Sequence, residues 1–241
     1  MTTEFRCCDE TLRLITRAIS KAVRDRLPLC YQENTYETNN YRAHIKGDLI
    51  NQCLREMLAL NGVTLHPFKR HGWEGRLIID HAHKAIFNVV SKDTLDRIPK
   101  AHRKWPHYLQ TLLTVVNGDY EPRVEQLSFM PNMEMFDSDT YNADFDLLLQ
   151  GIIDDPQQWH HYVIAYTSSR CDVKDVHAYF LDGNFNVIDD RSLNEFIEPD
   201  TSALIAKIQQ ASTNQAKQDA HDLVGLKPGI KPPVIEAEDE A

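Results

Sequence analysis

Residues 161 to 188 read HYVIAYTSSRCDVKDVHAYFLDGNFNVI, and this stretch decides the fold class. Three runs within it, His161 to Thr167, Val176 to Leu181 and Phe185 to Ile188, are rich in Val, Ile, Tyr and Phe, side chains that suit a pleated, half-buried surface. The last two are joined by Asp182-Gly183-Asn184, a set suited to a tight hairpin turn. An antiparallel meander is the expectation.

Working back from it, residues 76 to 80 and 85 to 90 form a second pair of short apolar runs, joined by His81-Ala82-His83-Lys84. They read as another hairpin. A further strand is expected over Val124 to Phe129. Helical spacing appears elsewhere. Leu12, Ile15, Ile19, Ala22 and Val23 form one stripe, closed by Pro28, and Ile45, Leu49, Cys53, Met57 and Leu60 form a second, ending at Asn61-Gly62. Together they predict an N-terminal helical pair over about 9 to 60. Helices are also expected over Trp105 to Val116, stopped by Asn117-Gly118, over Tyr141 to Ile153 with Asp137 or Asp139 as cap, and over about Thr201 to Ser212.

Strands arriving as hairpins rather than singly between helices imply an α+β class, with an antiparallel or mixed sheet and helices packed on it. One globular domain over 1 to 225 is expected. It is followed by an acidic tail over 226 to 241, where Pro232-Pro233 and Glu236, Glu238, Asp239 and Glu240 predict disorder.

Of the 241 residues 42% are hydrophobic and 26% charged, enough apolar material for a core. No signal peptide and no run of about 18 apolar residues is visible, so a cytoplasmic protein is expected. Cys7, Cys8, Cys30, Cys53 and Cys171 show no CxxC spacing and read as free thiols. A net charge of −10 opposes broad attraction to nucleic acid or anionic lipid. The exception is a local patch, Lys100, His102, Arg103 and Lys104 beside Trp105, where nucleic acid has its best foothold.

Candidate chemistry is sparse. His81 and His83 lie two apart, as paired metal ligands would on a strand, but a third ligand is missing. Asp172-Val173-Lys174, with Asp80 or Asp146, would be the carboxylate and lysine set of a Mg²⁺-dependent nuclease. The early helix, helix, hairpin order resembles the restriction-endonuclease-like fold, although the acid and the lysine fall in the wrong order of elements for it. Cys171 beside Arg170 and Lys174 is a nucleophile candidate, with His177 as its base. Neither a GxSxG elbow nor a glycine-rich phosphate loop is present. The segment Phe129 to Phe136 holds Met130, Met133 and Met135 with Phe136, next to Asp137 and Asp139, and reads as a flexible apolar surface for a basic protein partner. With Asp144 and Asp146 the same aspartates suggest an inhibitor or DNA mimic.

Arg70-His71-Gly72-Trp73-Glu74-Gly75-Arg76, Pro106 to Leu113 and Glu125 to Phe129 resemble phrases in an uncharacterised family of bacterial proteins from mobile-element and defence loci. The resemblance spans about 65 to 200. It implies a bacterial or phage accessory protein and supplies no catalytic residues. The function expected from all this is a non-enzymatic binding or regulatory protein without a cofactor, the alternative being a Mg²⁺-dependent nuclease.

Overall fold

The computed structural model describes residues 5, 7–34, 37, 38, 40–58, 62–70, 72–120, 135–149 and 151–198. The chain divides after Glu198, and all the described residues belong to Met1–Glu198. The expected strand at 124–129, the helix at 201–212, the tail, Met130 and Met133 lie outside them.

The architecture is α+β. Six strands, β1 (Thr64–Arg70), β2 (Trp73–Asp80), β3 (Ala85–Ser91), β4 (His160–Ser169), β5 (Asp172–Leu181) and β6 (Val187–Ser192), lie in chain order across one mixed sheet. All neighbours are antiparallel except β3 and β4, which run parallel from Ala85↔His160 to Ser91↔Tyr166. A parallel pair needs a long crossover. Here it holds α4 (Lys92–Arg97), α5 (Tyr108–Asn117) and α6 (Ser138–Leu149).

Alternation along the strands gives the sheet two buried faces. On one, Ile78, Phe87, Tyr162, Ile164, Val176 and Phe180 pack against the N-terminal helices α1 (Asp9–Lys21) and α3 (Arg42–Leu58). On the other, Leu77, Ile79, Ile86, Val163 and Leu181 meet Leu109, Leu112 and Leu113 of α5 and Phe145, Leu148 and Leu149 of α6. Burying each such side chain contributes roughly 1.5–3 kcal/mol, which fixes the order of the three layers.

Pro28 does not close the first helix. A π-turn, Ala22–Arg26, in which Leu27 N–H donates to the Ala22 carbonyl, leads straight into α2 (Leu27–Glu33) with Pro28 in its first turn. A proline lacks the N–H that an interior turn requires, but the first turn of a segment has no partner for it. Asp137 caps α6, its Oδ1 accepting from Thr140 N at 2.7 Å. Strands β4 and β5 run past the expected charged turn to Ser169 and Asp172. The following turn is held by the Asp182 carboxylate, which accepts from Asn184 N and Asn186 N, both at 2.8 Å. Phe185, with φ 65°, belongs to that turn rather than to β6.

The β1–β2 ladder runs through seven pairs, Thr64↔Ile79 to Arg70↔Trp73, yet β2 and β3 pair only at Ile78↔Phe87, Ile79↔Ile86 and Asp80↔Ala85. Toward the carboxyl end of β3 the β1–β2 hairpin therefore leans away from the sheet. It leans onto α5 and α6: Phe68 packs on Tyr108, His66 Nε2 donates to the Leu148 carbonyl at 2.9 Å, and Arg70 pairs with Asp144 at 3.0 Å. The sheet is split at one end, and the split is where the site lies.

A basic cleft as the candidate functional site

Ligands of open α/β sheets collect outside the carboxyl ends of parallel strands, where loops diverge. The end of β3 and the end of β4, with the separated start of β2, form the floor of a cleft of about 890 Å³. One wall is the start of α3, with Arg42, His44 and Lys46. Arg70, Trp73 and Arg76 of the leaning hairpin and Arg97, Arg103, Lys104, Trp105 and His107 of the crossover form the other. Seven of the lining residues are Lys or Arg, and a single one, Asp93, is a carboxylate. A chain of net charge −10 has thus gathered its cations in one concavity.

Among the described residues, Arg42, Lys46, Arg76, Arg97 and Lys104 have no carboxylate within ion-pair distance. Their contacts are neutral. Arg42 lies 4.7 Å from the centre of the Tyr31 ring, Lys46 Nζ donates to Ser168 Oγ at 2.9 Å, and Arg97 Nε donates to the Asp93 carbonyl at 2.9 Å. Only Arg70 has a counter-charge in Asp144, which also accepts from Thr111 Oγ1. Burial, partly offset by Asp144, holds the Arg70 guanidinium below its ordinary range, with Arg103 adding to the effect.

His107 is not a base in this setting. Its Nδ1 accepts from Leu109 N at 3.2 Å as the cap of α5, so the neutral ring carries its proton on Nε2. Burial, and then the cations Arg103 and Arg70, draw its pKa down to about 3. The ring is a fixed hydrogen-bond donor at any neutral pH. Behind it lies a second buried imidazole, His161, whose Nε2 donates to Asn88 Oδ1 at 2.8 Å. Asn117, at the end of α5, accepts from His161 N at 3.0 Å and donates to the carbonyls of His161 and Leu181, each at 2.8 Å. That amide clips the helix to β4 and β5.

Two tryptophans stand at the rim, Trp73 at 49% exposure and Trp105 at 61%. Trp73 is built in place: its ring stacks on Tyr108 with centroids 5.4 Å apart and meets Phe68 edge-on at 5.5 Å. Gly75 makes this possible, because a Cβ there would come within 2.4 Å of Phe68 and 2.8 Å of Trp73.

The other sequence candidates fall elsewhere. Asp80 pairs across the ladders with Ala85 and so with His160, whereas Asp172 pairs with Ser169. Nine residues of β4 separate the two levels, about 30 Å at the rise of a strand. One metal holds its oxygens at only about 2 Å, so the structure does not bring Asp80 together with Asp172 and Lys174. Asp80 is buried and accepts from His83 N at 3.1 Å, with His83 Nδ1 at 2.8 Å, while Asp172 is held by Lys174 and Arg24, which keep its carboxyl below the usual range. His81 and His83 sit in the turn, not on a strand, and His81 packs edge-on against Trp159. The described residues contain no group of three or more His, Cys, Asp or Glu placed to share a metal ion. Cys171 is at the β4–β5 tip, but His177 lies opposite Ala165, beside Asp175 and Asp190, some 15 to 20 Å along the strand. All five cysteines are free, and no described helix is long and apolar enough to cross a membrane.

Of the proposed partner surface, Met135 is exposed, Phe136 packs against Tyr141, and Asp139 and Asp146 face solvent, while Asp137 and Asp144 are engaged as a cap and as the partner of Arg70. The local patch at Arg103, Lys104 and Trp105 proves to be part of one cleft wall. Arg42, Lys46, Arg70, Arg76 and Arg97, missed in sequence, come from four other elements.

A family model described as a family of unknown function (DUF5986) matches residues 6–239. The chain belongs to this family. No curated protein and no solved structure matches it. The family model spans every element that builds the cleft, from α3 to β4.

Proposed function

We propose that the cleft binds a phosphate-bearing polyanion and that the protein acts by binding rather than by turnover. The observation that carries this is the set of five cations without a carboxylate partner, concentrated in one concavity of an acidic chain. Like charges held together cost stability, and an incoming anion offsets that cost. Guanidinium groups suit phosphate because they donate two hydrogen bonds in a plane. The neutral Nε2–H of His107 adds an uncharged donor, and no described lining group is set up as a general base. An accessory role in a bacterial or phage system is in keeping with such a binding protein.

The test is calorimetric titration with inorganic tripolyphosphate at low salt, for the natural chain and for Arg76→Glu combined with Arg97→Glu. Charge-assisted hydrogen bonds contribute about 1.5–3 kcal/mol each, so a loss of affinity of at least about tenfold is expected. Equal affinity of the two proteins, or none in either, would sink the reading. A second reading, a protein-docking surface at the Met-rich segment, keeps one supporting observation, the 54% exposure of Met135.

A further inference from the structure

We infer that the polyanion is single-stranded nucleic acid, with bases stacked on the rim tryptophans and phosphates on the cations inside. The inference rests on the polyanion reading above and deepens it.

An inorganic or sugar polyanion asks only for cations. This cleft adds aromatic faces to them. Trp105 directly follows Lys104 and is more than half exposed, which a large apolar ring adopts at a cost unless something covers it. Trp73 is half exposed yet held rigidly on Tyr108 and Phe68, and Gly75 gives up its side chain so that this packing can form. A rigid ring beside cations is a stacking platform for a base, and base–aromatic stacking tolerates any sequence because every base has a flat face. Duplexes hide those faces inside the stack, so the platform selects unpaired strands.

The cations are divided between opposite walls, Arg42 and Lys46 on α3 against Arg97 and Lys104 on the crossover. A single phosphate group cannot serve both walls of a cleft of about 890 Å³, whereas a strand crossing it can. The sheet itself leaves the passage open, because the β2–β3 ladder stops at Ile78↔Phe87.

The experiment measures fluorescence anisotropy of labelled 12-nucleotide dT and rU strands with the full chain. A hairpin duplex, a mononucleotide and tripolyphosphate serve as competitors. Trp105→Ala and Trp105→Phe are the variants, and tripolyphosphate affinity is measured for each by calorimetry. Stacking losses of roughly 1–3 kcal/mol per base translate to a weakening of about 5- to 100-fold for Trp105→Ala. Trp105→Phe should recover most of it. Tripolyphosphate affinity should stay unchanged in both variants, and the duplex and the mononucleotide should compete at least about tenfold more weakly than the strand. Preference for dT or rU would identify which strand is taken. If tripolyphosphate binds but Trp105→Ala leaves strand affinity intact, or the duplex competes equally, the stacking inference is wrong and the anion cleft stands. If no anion binds, both fail.

Discussion

His161 should make the protein acid-sensitive well above the range in which carboxylates titrate. Its ring is fully buried between Asn88 and the sheet, and burial draws its pKa down to about 3. In the unfolded chain a histidine titrates near its ordinary value of about 6.5. Between these values the unfolded state takes up a proton that the folded state refuses, so stability is complete above about pH 6.5 and declines as pH falls toward about 3. From pH 7 to pH 5 the two binding curves differ by about 2 kcal/mol for this one group. His107, drawn down in the same direction, adds its own decline. The contribution of His161 is isolated by difference: urea unfolding at pH 7 and pH 5, for the natural chain and for His161→Gln, whose side-chain amide retains a donor toward Asn88. The variant starts less stable at pH 7 but should lose about 2 kcal/mol less than the natural chain between the two pH values. An equal loss in both proteins would refute the argument, since it would mean that the imidazole is protonated in the fold.

Gly75→Ala should place its Cβ against Phe68 and Trp73, costing about 1–3 kcal/mol by overpacking, and the change in tryptophan fluorescence should report the displaced Trp73 ring. Asp144→Asn removes the counter-charge of Arg70, a pair only 15% and 13% exposed. A drop of about 2–4 kcal/mol in unfolding free energy is expected, together with tighter tripolyphosphate binding, because Arg70 then adds an unopposed charge to the cleft.

Much of the sheet is legible in the sequence because its signals are local. The meander from β4 to β6 shows its β-branched and aromatic runs, and its Asp-Gly-Asn turn is visible within three residues. Strand β1 is not legible, because Pro67 interrupts Thr64–Arg70 and reads as a break. The strand lies at the sheet edge, and at an edge a missing N–H is tolerated. Pro28 misleads for a related reason, since the π-turn before it moves it into a first helical turn. The cleft is legible only in part. Arg103, Lys104 and Trp105 are neighbours in sequence, but Arg42, Arg70, Arg76 and Arg97 are brought to them only by the parallel pairing of β3 with β4 and the lean of the first hairpin. No short-range pattern encodes either. The Asp-Val-Lys triplet shows the opposite case, a local pattern whose intended partner Asp80 the topology carries to the far end of the strands.

The π-turn also has a consequence for length variation. An α-helix advances about 100° per residue, and the wide turn at Ala22–Arg26 absorbs one residue more than a regular turn would. Deleting any one of those five residues would restore a regular helix and rotate everything after it by about a quarter turn. Leu27 would swing out of the core, and Arg26 would leave Glu56, its ion-pair partner at 2.6 Å. A one-residue deletion in an exposed loop merely shortens a connection. The same deletion here re-phases a helix, so among relatives of this chain the spacing between Val23 and Leu27 should be held more strictly than the identity of the residues that fill it.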